Sequence, residues 1–276
     1  MFVTSPQYLL ACVMLALVCA LNLAIASEEE ATALYLPYHK NHHPQLADQV
    51  ESALAQFKLN NINVEDAGFW QLHLNRIKLR RPGIYLTAPH FSDWLIQNPE
   101  LSVLSTYKTP LQFVVAVRQS DFELFAISDL DNKLVCTEHA LSPSALSLTL
   151  AAETHQINPR RAVTWSVQDK MLKDDPRCQA FVINNALIDA ISSANGIVYE
   201  RLFATSVFAS YAIVVPNKWP EAKKNTLRQA LTSHQMATVL KPIWQNWSSN
   251  YAFAEIENER PVSELNNLLR RYWRVK

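Results

Sequence analysis

The stretch from Pro82 to Trp94 constrains this chain more than any other: Pro-Gly, an apolar run Ile84-Tyr85-Leu86, then Thr87-Ala88-Pro89-His90-Phe91-Ser92-Asp93-Trp94. A short apolar run opened by Pro-Gly and closed by Ala-Pro-His, ahead of a Ser/Asp start signal, predicts a buried parallel strand whose far end runs into a helix. In an open α/β sheet that far end borders the ligand crevice, which puts Thr87, Pro89 and His90 at the mouth of a site.

The flanking sequence repeats this plan. Ala33-Leu34-Tyr35-Leu36 reads as a first strand. Pro44 suits the first turn of a helix on which Leu46, Val50, Leu54 and Phe57 share a face. Ile62-Asn63-Val64 is a second strand and Phe69 to Leu79 a second helix, basic toward its end as the helix dipole prefers. Two extended pieces follow, Ser102-Val103-Leu104 and Leu111 to Val117, broken by Thr109-Pro110. The second of them reads as a crossing into another lobe. There Lys133 to Cys136, Ala162 to Trp165 and Gln179 to Ile183 are strands, Ser142 to Gln156 is a helix, and Asn184-Asn185 caps a helix that Gly196 ends. Ile197 to Phe203 and Tyr211 to Val215 carry the chain back. Helices then run from Pro220 to Leu231, Gln235 to Trp247 and Ser263 to Trp273, with Trp244, Trp247 and Trp273 as packing residues. The expected architecture is α/β: two lobes, each a mostly parallel sheet flanked by helices. The first part of lobe 1 takes residues 27–113 and lobe 2 residues 114–204, with 205–276 returning to complete lobe 1. Leu54 and Val163 are expected in the core, His90 and Ser142 at loop edges.

Residues 1–27 carry no Asp, Glu, Lys or Arg, and Leu9 to Ala26 is almost wholly apolar before Ser27 and three Glu. This is the pattern of a secretory signal peptide over residues 1–26, hence export to the periplasm, with an uncleaved membrane anchor as the alternative. Of the four cysteines, Cys136 and Cys178 belong to the exported portion, either paired or as two buried thiols. Acidic and basic residues balance at 25 each with no basic stripe, which argues against nucleic acid as a partner. Only Gly68, Gly83 and Gly196 occur, so the loops that cradle phosphates with successive glycine amides are excluded.

In order and spacing these segments resemble the periplasmic solute-binding proteins of ABC transporters with the type II fold, and within them the phosphonate-binding-like branch. Four places carry the resemblance: the Pro-Tyr loop after the first strand, the strand from Gly83 to Trp94, Ile127-Ser128-Asp129-Leu130-Asp131-Asn132-Lys133-Leu134-Val135 at the entry to the second lobe, and Val214 to Glu221 on the return. Together they span most of residues 33–232. The chain departs from that branch where its Ser/Thr-rich, Gly-closed turn is expected, reading Glu138-His139-Ala140-Leu141-Ser142-Pro143-Ser144, and again at Asn184-Asn185. The resemblance implies transport: a small polar or anionic solute, phosphonate- or phosphate-like, and an ABC transporter permease or membrane sensor as partner.

Setting the strands parallel brings the loops Tyr38–His43, Thr87–Phe91, Glu138–Ser144 and Asn184-Asn185 to one edge, with five of the eight histidines among them. The ligand-binding residues expected there are Tyr38, His39, His42, Thr87, His90, Phe91, His139, Ser142, Ser144 and Asn184. In one reading Ser142, Ser144 and the free amides of their helix N-terminus hold an oxyanion, imidazoles and Tyr38 add donors, and Phe91 or Trp94 forms an apolar wall. In a second, His39 and His42 with His90 or His139 ligate zinc or copper. In the third the histidines are solvated loop residues and Ser142 is only a helix cap. No G-x-S-x-G elbow, H-E-x-x-H helix or nucleophilic cysteine setting occurs, so neither an enzyme nor a cofactor is expected. A surface-acting module of the same fold that has lost tight solute binding is the competing function.

Overall fold

The computed structural model describes residues 31–37, 41, 43–68, 70–79, 81–107, 111–121, 123–163, 174–208, 211–244, 253–254, 267–268 and 271. The leader at 1–26 lies outside them, as do Tyr38, His39, His42, Trp165, Trp247 and Trp273. No helix among the described residues is long and apolar enough to cross a membrane.

In the first part of the chain the strands are β1 (Thr32–Leu36), β2 (Ile62–Asp66), β3 (Ile84–Thr87) and β4 (Leu101–Tyr107). Between them lie α1 (Leu46–Ala55), α2 (Trp70–Lys78) and α3 (Pro89–Leu95). Strands β5 (Leu111–Arg118), β6 (Leu134–Thr137), β7 (Arg160–Val163), β8 (Ala180–Asn184) and β9 (Tyr199–Phe208) follow, with α4 (Pro143–His155) and α5 (Ile188–Asn195). The chain then forms β10 (Ala212–Pro216), α6 (Glu221–Leu231), α7 (His234–Trp244) and β11 (Phe253–Ala254). They make two sheets, one in the order β11-β4-β10-β3-β1-β2 and one in the order β7-β6-β8-β5-β9. Strands β1, β2 and β3 are mutually parallel, as are β6, β7 and β8, while β10 and β5 run antiparallel to their neighbours.

Register locates the edge that matters. Thr87, the last residue of β3, lies opposite Ala212, the first of β10, and Ala212 also faces Thr106 near the end of β4. In the second sheet Asn184, the last residue of β8, lies opposite Phe113, and Leu111 at the start of β5 faces Phe208 at the end of β9. Both passages therefore join the Thr87 border of the first sheet to the Asn184 border of the second, one in each direction. The carboxyl ends of the parallel strands in each sheet face the junction, where open α/β sheets hold their ligands.

Strands β3, β8 and β10 are buried at every position, the pattern of parallel-type strands covered on both faces. Helix α1 turns Leu46, Val50, Ala53 and Leu54 inward, the two leucines and the valine each contributing about 1.5–3 kcal/mol by leaving water. Its first residue is Leu46 with Gln45 as N-cap, so Pro44 precedes the helix. Helix α3 starts earlier than the Ser/Asp signal implies. Pro89 stands at the first helical position, where a missing N–H costs nothing, and Ser92 and Asp93 lie inside the helix. Val163 is no core residue: 57% of it is exposed, because β7 is an edge strand. Gly83 has φ +156°, and a Cβ there would come within 2.7 Å of the Ala33 carbonyl oxygen and the Tyr35 ring, so only glycine lets β1 and the start of β3 approach.

Cys136 on β6 and Cys178, just before β8, form a disulfide whose two halves are buried. Arg118 organises the turn that delivers Cys178. Its guanidinium donates to the Asp174 carboxylate at 2.8 Å, to the Asp175 carbonyl at 2.7 Å and to the Cys178 carbonyl at 2.8 Å, and lies 5.0 Å from the Phe181 ring centre.

Candidate functional site

The first half of the site is built on β3 and α3. Thr87 is buried, and its hydroxyl lies 2.8 Å from Nε2 of His73, a buried residue of α2. His90, in the first turn of α3, is fully buried and packs on Phe91 with ring centres 4.1 Å apart. Phe91 is fully buried too, and its other neighbour is His73 at 5.4 Å. Burial holds both imidazoles in the neutral form. The His73 pKa is lowered to about 3 by desolvation, helped by the positive charge of Arg76. His90 is lowered to about 3 by desolvation, against which the nearby Leu141 backbone works in the opposite direction.

That proximity spans the junction, since Leu141 belongs to the turn before α4 in the second half. There Ser142 caps α4, its Oγ accepting from the Ala145 N–H at 3.2 Å, with Pro143 at the first helical position. Ser142 Oγ is 2.8 Å from Ser144 Oγ, and both serines are buried. Every residue of α4 from Pro143 to Thr149 is buried, which explains why this helix shows no apolar stripe. Its remaining hydroxyls bond back along the helix, Ser147 to the Ser144 carbonyl at 2.7 Å and Thr149 to the Ala145 carbonyl at 3.0 Å.

Around this contact stand the other strand ends. His139 is partly buried, its pKa lowered by desolvation, and its Nδ1 accepts from the Leu141 N–H at 3.1 Å. Glu138 is buried beside it. Asn184 is buried at the end of β8, its Oδ1 accepting from the Ala186 N–H at 3.0 Å and so capping a short 3-10 turn rather than α5 directly. Extending the β6–β8 register, in which Cys136 pairs with Phe181, sets Asn184 level with His139. Asn185 accepts from Arg201 Nε at 2.8 Å and donates to Gln112 Oε1 at 3.0 Å, tying β8 to β5 and β9.

Thr87, His90, Phe91, His139, Ser142, Ser144 and Asn184 thus all fall on the two strand-end borders, and His90 meets the turn before Ser142. The expectation that His90 and Ser142 sit on loop edges is corrected: both are 0% exposed, because the first turns of α3 and α4 are pressed into the junction. Phe91 packs between two imidazoles instead of walling an open crevice. Tyr38, His39 and His42 lie outside the described residues. Among the described residues no group of three or more His, Cys, Asp or Glu is arranged to hold a metal ion. One buried contributor escaped the sequence reading, His73. The signal for His73 was a histidine on the face of α2 that also carries Ile77.

A cleft of about 800 Å³ lies at the opposite border of the first sheet, lined by Lys78, Arg81, Tyr85, Trp94, Glu100 and Lys218 among others. Lys78 sits in the last turn of α2, where cations complement the helix dipole, which accounts for it without a ligand.

No protein-family model matches the chain, and no curated protein matches it in sequence. Solved structures do match. The methylphosphonate complex of PhnD1 from Prochlorococcus marinus superposes with a TM-score of 0.65 at 11% identity, covering 90% of this chain and 100% of that one. A binding protein component of an ABC phosphonate transporter from Pseudomonas aeruginosa gives 0.61 at 8% identity, covering 88% and 85%. The fold is that of the periplasmic binding proteins. A Xanthomonas citri protein bound to chloride ion matches with a TM-score of 0.60 at 13% identity over 86% of this chain and 93% of that one. Within this periplasmic-binding-protein fold, the junction between the sheets is the border to which Thr87, His90, Ser142 and Asn184 contribute.

Proposed function

We propose that the chain is an exported solute-binding protein that closes on a small polar or anionic solute, phosphonate- or phosphate-like, between two lobes and presents it to an ABC transporter or a membrane sensor. In this reading residues 1–26 are a cleaved signal peptide and the protein works in the periplasm. Lobe 1 comprises residues 27–113 and 205–276, lobe 2 residues 114–204, and the protein is not an enzyme. The observation that carries the reading is the meeting of His90, at the carboxyl end of β3, with Leu141, at the Ser142-capped start of α4. Capped helix starts, neutral imidazoles and hydroxyls supply hydrogen-bond donors without a fixed positive charge, a set suited to oxygen acceptors. Phosphonate-related structures among those that share the fold add support, one of them solved with methylphosphonate. Tyr38, His39, His42, Thr87 and Asn184 belong to the proposed site as well.

A second reading, a module of this fold that acts through its surface without tight solute binding, is favoured by one observation. Phe91, His90 and Ser142 are each fully buried, so the junction is filled by the chain's own side chains. Differential scanning fluorimetry separates the two. A solute present at 100 times its Kd adds about 2.7 kcal/mol, which raises the Tm of a domain this size by about 5–10 °C. Such a shift with methylphosphonate, phosphate or a carboxylate supports solute binding. A flat response across phosphates, phosphonates, carboxylates and amino acids supports the module. Stabilisation by zinc that a chelator reverses would instead mark a histidine-rich metal-binding variant.

A further inference from the structure

The cleft at the far border of the first sheet is held by hydrogen bonds between the segments that line it. Gly83 and Tyr85 come from the start of β3, Ile77 from α2 and Leu95 from α3, and all four are buried. The remaining lining is two turns, one between α3 and β4 and one between β10 and α6, and these are locked together. The Asn217 side-chain amide donates to the Pro99 carbonyl at 2.6 Å, and the Asn217 backbone N–H to the Glu100 carbonyl at 2.7 Å. Asn98 Oδ1 accepts from the Glu100 N–H at 3.1 Å, and the Tyr85 hydroxyl donates to the Arg81 carbonyl, fixing the chain where it has left α2. Walls tied in this way need little reordering on binding. At about 800 Å³ the cleft has the size of a pocket for a small organic molecule.

In a chain whose acids and bases balance, the charges around this cleft do not. Lys78, Arg81 and Lys218 line it against one acid, Glu100. The helix dipole accounts for Lys78. It does not reach Arg81, which lies beyond the end of α2, nor Lys218 in the turn between β10 and α6. Neither pairs with a carboxylate among the described residues, whereas Lys224, in the helix that follows Lys218, bonds Glu221 at 3.0 Å. Behind these cations the lining is flat and apolar, with the half-buried Trp94, Tyr85 and the rings of Pro82, Pro99 and Pro216. A mostly apolar hollow with a few convergent polar groups is the general form of a small-molecule site. The guanidinium fork matches the two oxygens of a carboxylate, and Glu100 at the same rim repels a dianion more than a monoanion.

We propose that this cleft is a second ligand site, separate from the junction between the sheets, for an aromatic monocarboxylate whose ring system lies against Trp94 and whose carboxylate is held by Arg81 and Lys218. Every lining residue belongs to the first sheet or to the helices and turns attached to it, so the site needs no closure of one lobe on the other. The inference therefore stands whether or not the junction takes a solute. A neutral ring of the same shape forgoes the ion pairs, and an amine meets three like charges.

Titration of the full chain with 2-naphthoate, followed by calorimetry and by nitrogen–proton NMR of the indoles, tests this. One site per chain is expected, with a shift of the Trp94 indole signal, which Trp94→Phe identifies. Arg81→Gln and Lys218→Gln should each weaken binding by about tenfold, the share of one hydrogen bond to a charged group. The alcohol 2-naphthalenemethanol and the amine 2-naphthylmethylamine should bind at least about tenfold more weakly than the carboxylate. Gln97→Trp, which fills the cleft from an exposed lining position and keeps all three cations, should weaken binding too, and circular dichroism confirms that each variant is folded. Excess methylphosphonate should leave the Trp94 shift unchanged, whatever it does at the junction. No saturable binding of millimolar 2-naphthoate overturns the site, as does binding that a folded Gln97→Trp variant retains or that methylphosphonate displaces. Equal affinity for the alcohol, or for the Arg81→Gln/Lys218→Gln double variant, overturns the carboxylate class.

Discussion

Acid sensitivity gives the sharpest numerical test of the buried imidazoles. His73 and His90 each titrate near 3 in the folded chain against an ordinary value of 6.5, chiefly because burial disfavours the charged ring. In the unfolded chain both take up a proton as the pH falls below 6.5, whereas the native state refuses it until about 3. Their contribution to stability is thus complete above the unfolded pKa and is lost as the pH falls through the window between the two values. At pH 5 the unfolded state has gained about 1.5 pH units' worth of protonation, roughly 2 kcal/mol per histidine and about 4 kcal/mol for the pair. Urea denaturation at pH 7.5 and 5.0 measures the loss, and His73→Gln isolates one share of it. The variant is expected to lose about 2 kcal/mol less than the parent between those two pH values, irrespective of its stability at pH 7.5. A variant that loses as much as the parent would mean that His73 is protonated and solvated in the folded protein, which refutes its place in the junction.

Removing the Cys136–Cys178 bridge, which closes a separation of 42 residues, should cost about 4 kcal/mol by the loop-entropy relation; denaturation of the Cys136→Ser/Cys178→Ser double variant checks it, and a loss under about 1 kcal/mol would contradict the bond. Leu54→Ala should lower stability by about 2–5 kcal/mol, whereas Val163→Ala should stay within about 0.5 kcal/mol, because Leu54 is 0% and Val163 57% exposed. Thermal denaturation of both variants side by side decides whether the edge position of β7 is right.

Much of the fold was legible because burial writes itself into short apolar runs. Ile84-Tyr85-Leu86, Ala180 to Ile183 and Ala212 to Val215 are each continuous and each fully buried. Ser142 announced α4 by its side chain, and Gly196 closed α5 with φ +63°. Val163 misled because an apolar residue in a strand says nothing about whether a neighbouring strand or helix covers it. The start of α3 was placed late because Ser92 and Asp93 are stronger capping residues than Ala88, while the proline at position 89 decided the matter through its backbone. His73 stayed hidden because its importance lies in one contact with a residue 14 positions away, which periodicity does not report. Pairing of Cys136 with Cys178 required the distance between β6 and the turn before β8, a tertiary quantity.

The outer borders of the sheets carry a further consequence. Strand β2 ends the first sheet with Asn63 and Glu65 turned to solvent, and β7 ends the second with Arg160 and Arg161 exposed. Unpaired strands recruit strands from other molecules unless charge makes the encounter expensive. Two copies meeting β2 to β2, or β7 to β7, would bring like charges into register and separate again.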